Sequence, residues 1–150
     1  MKQIKTDIRI QAPASTVWQV LMDFESYPEW NPFVVEIKGT PTIGNNLETK
    51  IKNGEKEFNF KPKVLQNATE EEFRWKGKMW FKGIFDGEHY FQLSESMEGD
   101  QAVTEFTHGE RFTGILSGMI FRSIGEATRN GFISMNEALK ARAEAIAVEV

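Results

Sequence analysis

The sequence predicts an α+β domain in which one antiparallel sheet packs against one long C-terminal helix. Three observations carry this. Residues 3–10 alternate strictly between apolar and polar side chains. Inward rows of apolar residues then repeat at period two between residues 47 and 112. From residue 115 the apolar period changes to three or four. The chain has 150 residues, the size of a single domain, 1–150, with enough buried surface for a core without staples.

The first strand puts Ile4, Thr6, Ile8 and Ile10 on one face, opposite Gln3, Lys5, Asp7 and Arg9. Pro13 suits the first turn of a helix, and Ala14, Val17, Trp18 and Leu21 follow at helical spacing. Residues 24–30 predict a second short helix or turn, stopped near Pro28 and Pro32.

A meander of about six strands comes next. Leu47, Thr49 and Ile51 alternate up to Asn53-Gly54, a strong hairpin signal. A loop at those two residues pairs Thr49 with Phe58 and Leu47 with Phe60. A second turn at Asn67-Ala68 pairs Phe60 with Trp75 and Pro62 with Phe73. The next inward row is Phe85, Gly87, His89, Phe91 and Leu93. After a loop around residues 94–102, the last row is Thr104, Phe106, His108, Glu110 and Phe112. Pairing Leu93 with Thr104 sets Phe91 against Phe106, His89 against His108, and Gly87 against Glu110. The Glu70-Glu71-Glu72 run reads as solvated.

Residues 115–146 predict one amphipathic helix, ~45 Å long at about 1.5 Å per residue. Leu116, Ile120, Ile124, Thr128, Phe132, Met135 and Leu139 form its apolar stripe, and its end reads as solvated. Gly118, Gly125 and Gly131 lie inside it, each costing about 1 kcal/mol relative to Ala. Either small size is wanted there or the helix is loose or bent.

Composition narrows the function classes. There are no cysteines, so disulfides and thiol chemistry are excluded. Hydrophobic residues make up 40% and charged residues 27%, a globular balance. Net charge is −4, which removes the electrostatic case for nucleic acid or an anionic membrane. The N-terminus alternates charge with apolar residues, predicting no signal peptide, and no apolar run predicts membrane insertion. A cytoplasmic protein, monomeric or weakly homodimeric, is the expectation. The aromatic content is skewed, with 12 Phe and 4 Trp against 2 Tyr.

Three segments together resemble the START-like, or SRPBCC, superfamily, which includes polyketide cyclase/dehydrase-like and birch pollen allergen-like proteins. The first is Ala12-Pro13-Ala14-Ser15-Thr16-Val17-Trp18-Gln19-Val20-Leu21. The second is Asp23-Phe24-Glu25-Ser26-Tyr27-Pro28-Glu29-Trp30-Asn31-Pro32-Phe33, followed by Ile37-Lys38-Gly39 and Gly44. The third joins Asp86-Gly87-Glu88-His89-Tyr90-Phe91 to Thr104-Glu105-Phe106-Thr107-His108-Gly109-Glu110. The likeness spans essentially the whole chain. It implies a helix-grip fold, a curved sheet of about seven strands around the long helix, with a cavity for lipids, polyketides, quinones or similar molecules. Some members of the superfamily are enzymes and others carriers, so the likeness does not select an activity.

The only histidines, His89 and His108, fall on the inward face with Glu110. As direct cross-strand neighbours, the two imidazoles would have Cβ atoms about 5 Å apart. Such a group can orient a ligand, act as acid and base, bind a metal, or satisfy itself with Thr104 and water. Metal ranks last because the residues lie on flat strands without helical His spacing. No cofactor is expected. Phe58, Phe60, Phe73 and Trp75 face inward, as do Phe85, Phe91, Phe106 and Phe112, either as core or as the wall of a ligand site. Trp30 and Phe33 would lie near its mouth, and Ile120, Ile124 and Thr128 would face it from the helix. The leading expectation is binding or carriage of a small hydrophobic or amphipathic ligand. The alternatives are a cyclase- or dehydratase-like enzyme using His89, His108 and Glu110, and an interaction module using Trp80 and Phe81.

Overall fold

The computed structural model describes residues 2–78, 86–114 and 117–148. Phe85, Leu116 and the Trp80–Phe81 pair lie outside the described residues, as does the side chain of Ile120.

Strand β1 (Lys2–Ile10) leads into helix α1 (Ala14–Met22), whose N-terminal cap is Pro13. A single 3-10 turn (Phe24–Ser26) and helix α2 (Tyr27–Trp30) follow. Pro28 lies in the first turn of α2 rather than ending it, because that turn needs no donor there. The meander is β2 (Val34–Lys38), β3 (Glu48–Asn53), β4 (Lys56–Phe60), β5 (Lys63–Ala68), β6 (Glu72–Lys78), β7 (Asp86–Glu98) and β8 (Gln101–Thr113). Helix α3 (Ser117–Val148) closes the fold. The described residues thus contain eight strands, against about seven expected.

The strands form a five-stranded sheet, β1-β8-β7-β6-β5, and a three-stranded sheet, β2-β3-β4. They part at Lys61-Pro62, where proline supplies no ladder donor. The segment before β3 stitches them together. Leu47 N–H donates to Pro62 O at 2.8 Å, and Val64 N–H donates to Asn45 O at 2.9 Å. The result is one bent antiparallel surface with α3 against its concave side, where it packs on β1, β8 and β3.

Among the described residues the inward rows keep their expected faces, but the first and last hairpins differ in register by about two residues and the middle one by about four. The first hairpin loop is Gly54-Glu55, so Thr49 pairs with Phe60 and Ile51 with Phe58. The last hairpin turns at Gly99-Asp100, so Leu93 pairs with Phe106, Phe91 with His108, His89 with Glu110 and Gly87 with Phe112. In both loops glycine holds the first position at positive φ, 68° and 65°, where type II′ turns take it. The middle hairpin turns at residues 69–71 rather than 67–68, with Glu70 at φ 63°. Trp75 therefore pairs with Val64 and Phe73 with Asn67, not with Phe60 and Pro62. The Glu run is only partly solvated, since Glu72 in β6 accepts from Arg74 Nε at 3.2 Å and Gln92 Nε2 at 2.8 Å.

The end of α3 is less solvated than its composition suggests. Leu139 and Ala143 are fully buried, and Ile146 and Ala147 pack on the core. The interior glycines separate by environment. A Cβ on Gly131 would sit 2.4 Å from the Phe33 ring, so only glycine allows that approach. A Cβ on Gly125 would make ordinary contact with Phe121 at 3.4 Å. Gly125→Ala should therefore raise stability by up to about 1 kcal/mol. Gly131→Ala should lower it by about 1–2 kcal/mol, overpacking outweighing helix propensity. Urea unfolding of the two variants checks this; equal stabilisation would mean that the Phe33 ring yields.

Candidate functional site

Between the bent sheet and the first half of α3 lies a cavity of about 570 Å³. Phe33, Phe58, Phe60, Trp75 and Phe112 supply its aromatic wall, and Ile124 and Thr128 face it from α3. His89 and Glu110 bring polar atoms to it, between Gly77 and Gly87. Phe58 and Met119 are exposed and form part of its rim.

Four residues expected on that wall stand elsewhere. Phe91, Phe106 and His108 are fully buried behind it, because the two-residue register shift moves them deeper under α3. Trp30 packs edge-on against Tyr27, with ring centroids 5.3 Å apart, instead of guarding the mouth. Thr49, Ile51, Asn53, Pro62, Met119 and Ser123 line the cavity without having been singled out. Of these, Thr49 and Ile51 were legible by parity with the inward row of β3.

Local sequence places Phe33. The buried Asn31 side chain accepts from Phe33 N–H and Val34 N–H, both at 2.9 Å, which turns the chain from α2 into β2. Phe33 then stacks on His89 at 6.3 Å and meets Phe132 edge-on at 5.3 Å. Trp75 stacks on His89 at 5.0 Å, the pair lying directly across β6 and β7.

The histidines are diagonal rather than opposite, yet their Nε2 atoms are 2.7 Å apart. Their hydrogen bonds run in one chain. Thr6 Oγ1 donates to the His108 carbonyl oxygen at 2.9 Å, so its remaining capacity is to accept, from Asn136 Nδ2 at 2.8 Å. That leaves Asn136 Oδ1 as acceptor for His108 Nδ1–H at 2.9 Å. Complete burial holds the His108 pKa well below the ordinary imidazole value, the charge of a neighbouring His89 adds to this, and the Asn136 bond opposes it. Neutral His108 with its proton on Nδ1 presents a lone pair at Nε2, so His89 Nε2–H donates to it. His89 Nδ1 lies 3.3 Å from Glu110 Oε1, within hydrogen-bond reach. Thr104 takes no part, since its hydroxyl donates to Ala12 O at 2.7 Å.

Asn136 is the residue that sequence reasoning missed. Its signal was a polar side chain four residues after Phe132, on the buried stripe of α3. Among the described residues, no group of three or more His, Asp or Glu has a metal-holding arrangement. The cluster can orient a ligand and exchange a proton at its Glu110 end.

The buried neutral state of His108 makes stability pH-dependent. Below about pH 6.5 an unfolded imidazole takes a proton that His108 refuses. The unfolded state then binds more protons, so unfolding free energy drops as pH is lowered below that value, by up to about 1.4 kcal/mol per unit, and the contribution is complete above it. Urea unfolding across a pH series should show the slope, and His108→Gln should reduce it. An unchanged slope in the variant would place the linkage on other groups.

Comparison with known proteins agrees with this architecture. A START superfamily protein from Mycobacterium smegmatis superposes with TM-score 0.68 at 16% identity, covering 96% of this chain and 98% of that one. A protein from Mesorhizobium loti gives TM-score 0.72 at 14% identity, covering 96% and 98%. The Zhui aromatase/cyclase from a Streptomyces species gives 0.67 at 12% identity, covering 95% and 93%. These likenesses bear on the fold, the helix-grip arrangement. A search of curated proteins found no match. No helix among the described residues is long and apolar enough to cross a membrane. The family model described as polyketide cyclase / dehydrase and lipid transport matches residues 1–144, and the chain belongs to that family.

Proposed function

We propose that the protein binds a small hydrophobic or amphipathic molecule in the cavity between sheet and α3, as a cytoplasmic monomer or weak homodimer. The observation that carries this is a cavity of about 570 Å³ walled by five aromatic rings, with His89 and Glu110 among its few polar groups. Such a wall rewards burial of a greasy ligand by about 25 cal/mol per Å² removed from water. Few, placed polar atoms are what a small-molecule site adds for orientation. The family description, which pairs cyclase/dehydrase with lipid transport, supports the same ligand class.

A second reading is acid–base chemistry on the bound molecule, as in a cyclase or dehydratase. The contact between His89 Nδ1 and Glu110 Oε1 at the cavity wall favours it. In that reading His108 is a positioning residue, since it lies behind the wall with both ring nitrogens engaged.

Native mass spectrometry of the purified protein, with extraction of any co-purifying compound, tests the binding reading. Titration with pyrene, followed by quenching of tryptophan fluorescence, gives a second readout. Ile124→Trp should fill the cavity and weaken pyrene binding at least tenfold. No co-purifying molecule, no response to pyrene and no effect of Ile124→Trp would together sink the proposal.

A further inference from the structure

The polar residues at the cavity differ in what they leave free for a ligand. The Thr6–Asn136–His108 chain forces His89 Nε2–H onto His108, so this donor is not free for a ligand. His89 Nδ1 is engaged with Glu110 Oε1. With Oε1 turned to His89, Glu110 leaves Oε2 as an acceptor that a ligand can reach. Glu110 Oε2 has no hydrogen-bond partner among the described residues, and its side chain is 18% exposed, toward the cavity.

Other atoms continue the pattern. Asn53 gives Nδ2 to Thr128 Oγ1 at 2.9 Å, which leaves its buried Oδ1 without a partner on the cavity wall. The Thr49 hydroxyl donates to Phe60 O at 3.3 Å. Among the described residues no lysine or arginine lines the cavity. Among the described residues the wall therefore leaves two acceptor oxygens unpartnered, Glu110 Oε2 and Asn53 Oδ1, beside the neutral hydroxyl and amide groups of Ser123, Thr128 and Asn59, and holds no cation.

We infer that the cavity selects a neutral apolar molecule bearing a hydroxyl group, an alcohol or phenol, and holds that hydroxyl on Glu110 Oε2. This rests on the binding reading above and adds the chemical class of ligand. A carboxylate ligand such as a fatty acid is disfavoured, because its charge would be desolvated beside Glu110 with no cationic partner among the described residues. Gly87 is part of the selector. A Cβ there would sit 2.3 Å from Glu110 Oε2, so glycine makes the room in which the carboxyl group lies.

The test is a matched probe series of pyrene, 1-hydroxypyrene, 1-methoxypyrene and 1-pyrenecarboxylate, titrated by fluorescence at neutral pH. The hydroxyl probe should bind about tenfold or more tightly than its methyl ether, the return expected from a hydrogen bond to a charged acceptor. The carboxylate should bind weakest. Glu110→Leu should bring the hydroxyl-to-methoxy ratio close to one. Glu110→Gln should keep part of it, with the amide N–H₂ on His89 Nδ1 and the amide oxygen on the ligand. Gly87→Ala, by displacing the carboxyl group, should also reduce the ratio. Circular dichroism checks that each variant is folded, and the wild-type series decides the matter without them. Equal binding of hydroxyl and methoxy probes, or tightest binding of the carboxylate, overturns the selection while leaving the cavity a binding site. Failure of all four probes, pyrene included, overturns both readings.

Discussion

A buried imidazole must have both of its nitrogens satisfied, and His108 imposes that requirement at the centre of this fold. It is fully buried on β8, and its neighbours are drawn from elements far apart in sequence. Asn136 reaches it from α3, His89 from β7, and Thr6 from β1 through the backbone carbonyl. The chain of bonds therefore ties the first strand to the last helix and both to the middle of the sheet. Loss of one member would leave a buried donor or acceptor unpaired, a penalty of about 1–3 kcal/mol. Phe132 lies flat on the His108 ring at 4.0 Å, so packing and hydrogen bonding set the height of α3 together.

That anchoring explains where the cavity lies. From Thr128 to Ala143 the helix presents buried side chains. Ahead of that stretch, Met119, Ser123 and Ile124 look across open space toward β3 and β4. The sheet bends away at Lys61-Pro62, where the ladder passes from one sheet to the other. A helix held tightly at its second half and a sheet that turns outward beneath its first half cannot both be filled by side chains of ordinary length. His89 stands where the two regimes meet, bonded to the core on one edge and to Glu110 at the cavity on the other.

The fold was legible because strand parity is robust. A two-residue error in register leaves every side chain on its own face, so the rows of β3, β7 and β8 kept their inward residues although their partners changed. The turns were less legible. At 54–55 and 99–100 glycine was visible, but its place within the loop was not. At 69–71 the left-handed position carries Glu70, where a sequence reading looks for glycine or asparagine. The site was legible to the same depth. Parity put His89, His108 and Glu110 on one face, and they do form one hydrogen-bonded cluster. Register decided which of them reaches the cavity, and it placed His108 behind the wall. Asn136 and Asn53 escaped because each acts through a bond between helix and strand, a relation no local pattern carries.

The aromatic excess resolves into two layers with different duties. Phe73, Phe91, Phe106 and Phe132 are fully buried and form the rear layer. Phe33, Phe58, Phe60, Trp75 and Phe112 form the front layer, on the cavity. His89 is held between members of both, with Trp75 and Phe33 stacked on it and Phe132 edge-on at 5.0 Å. A ring confined in this way does not turn, so the direction of its bond to Glu110 is set before any ligand arrives. Preorganisation of that kind lowers the ordering cost of binding. The rim works differently. Met119 is unbranched and exposed, and such side chains adapt their shape to what they cover. A fixed polar point at the back of the cavity and an adjustable lip at the front would let one site hold the end of a ligand strictly while tolerating variation in the rest.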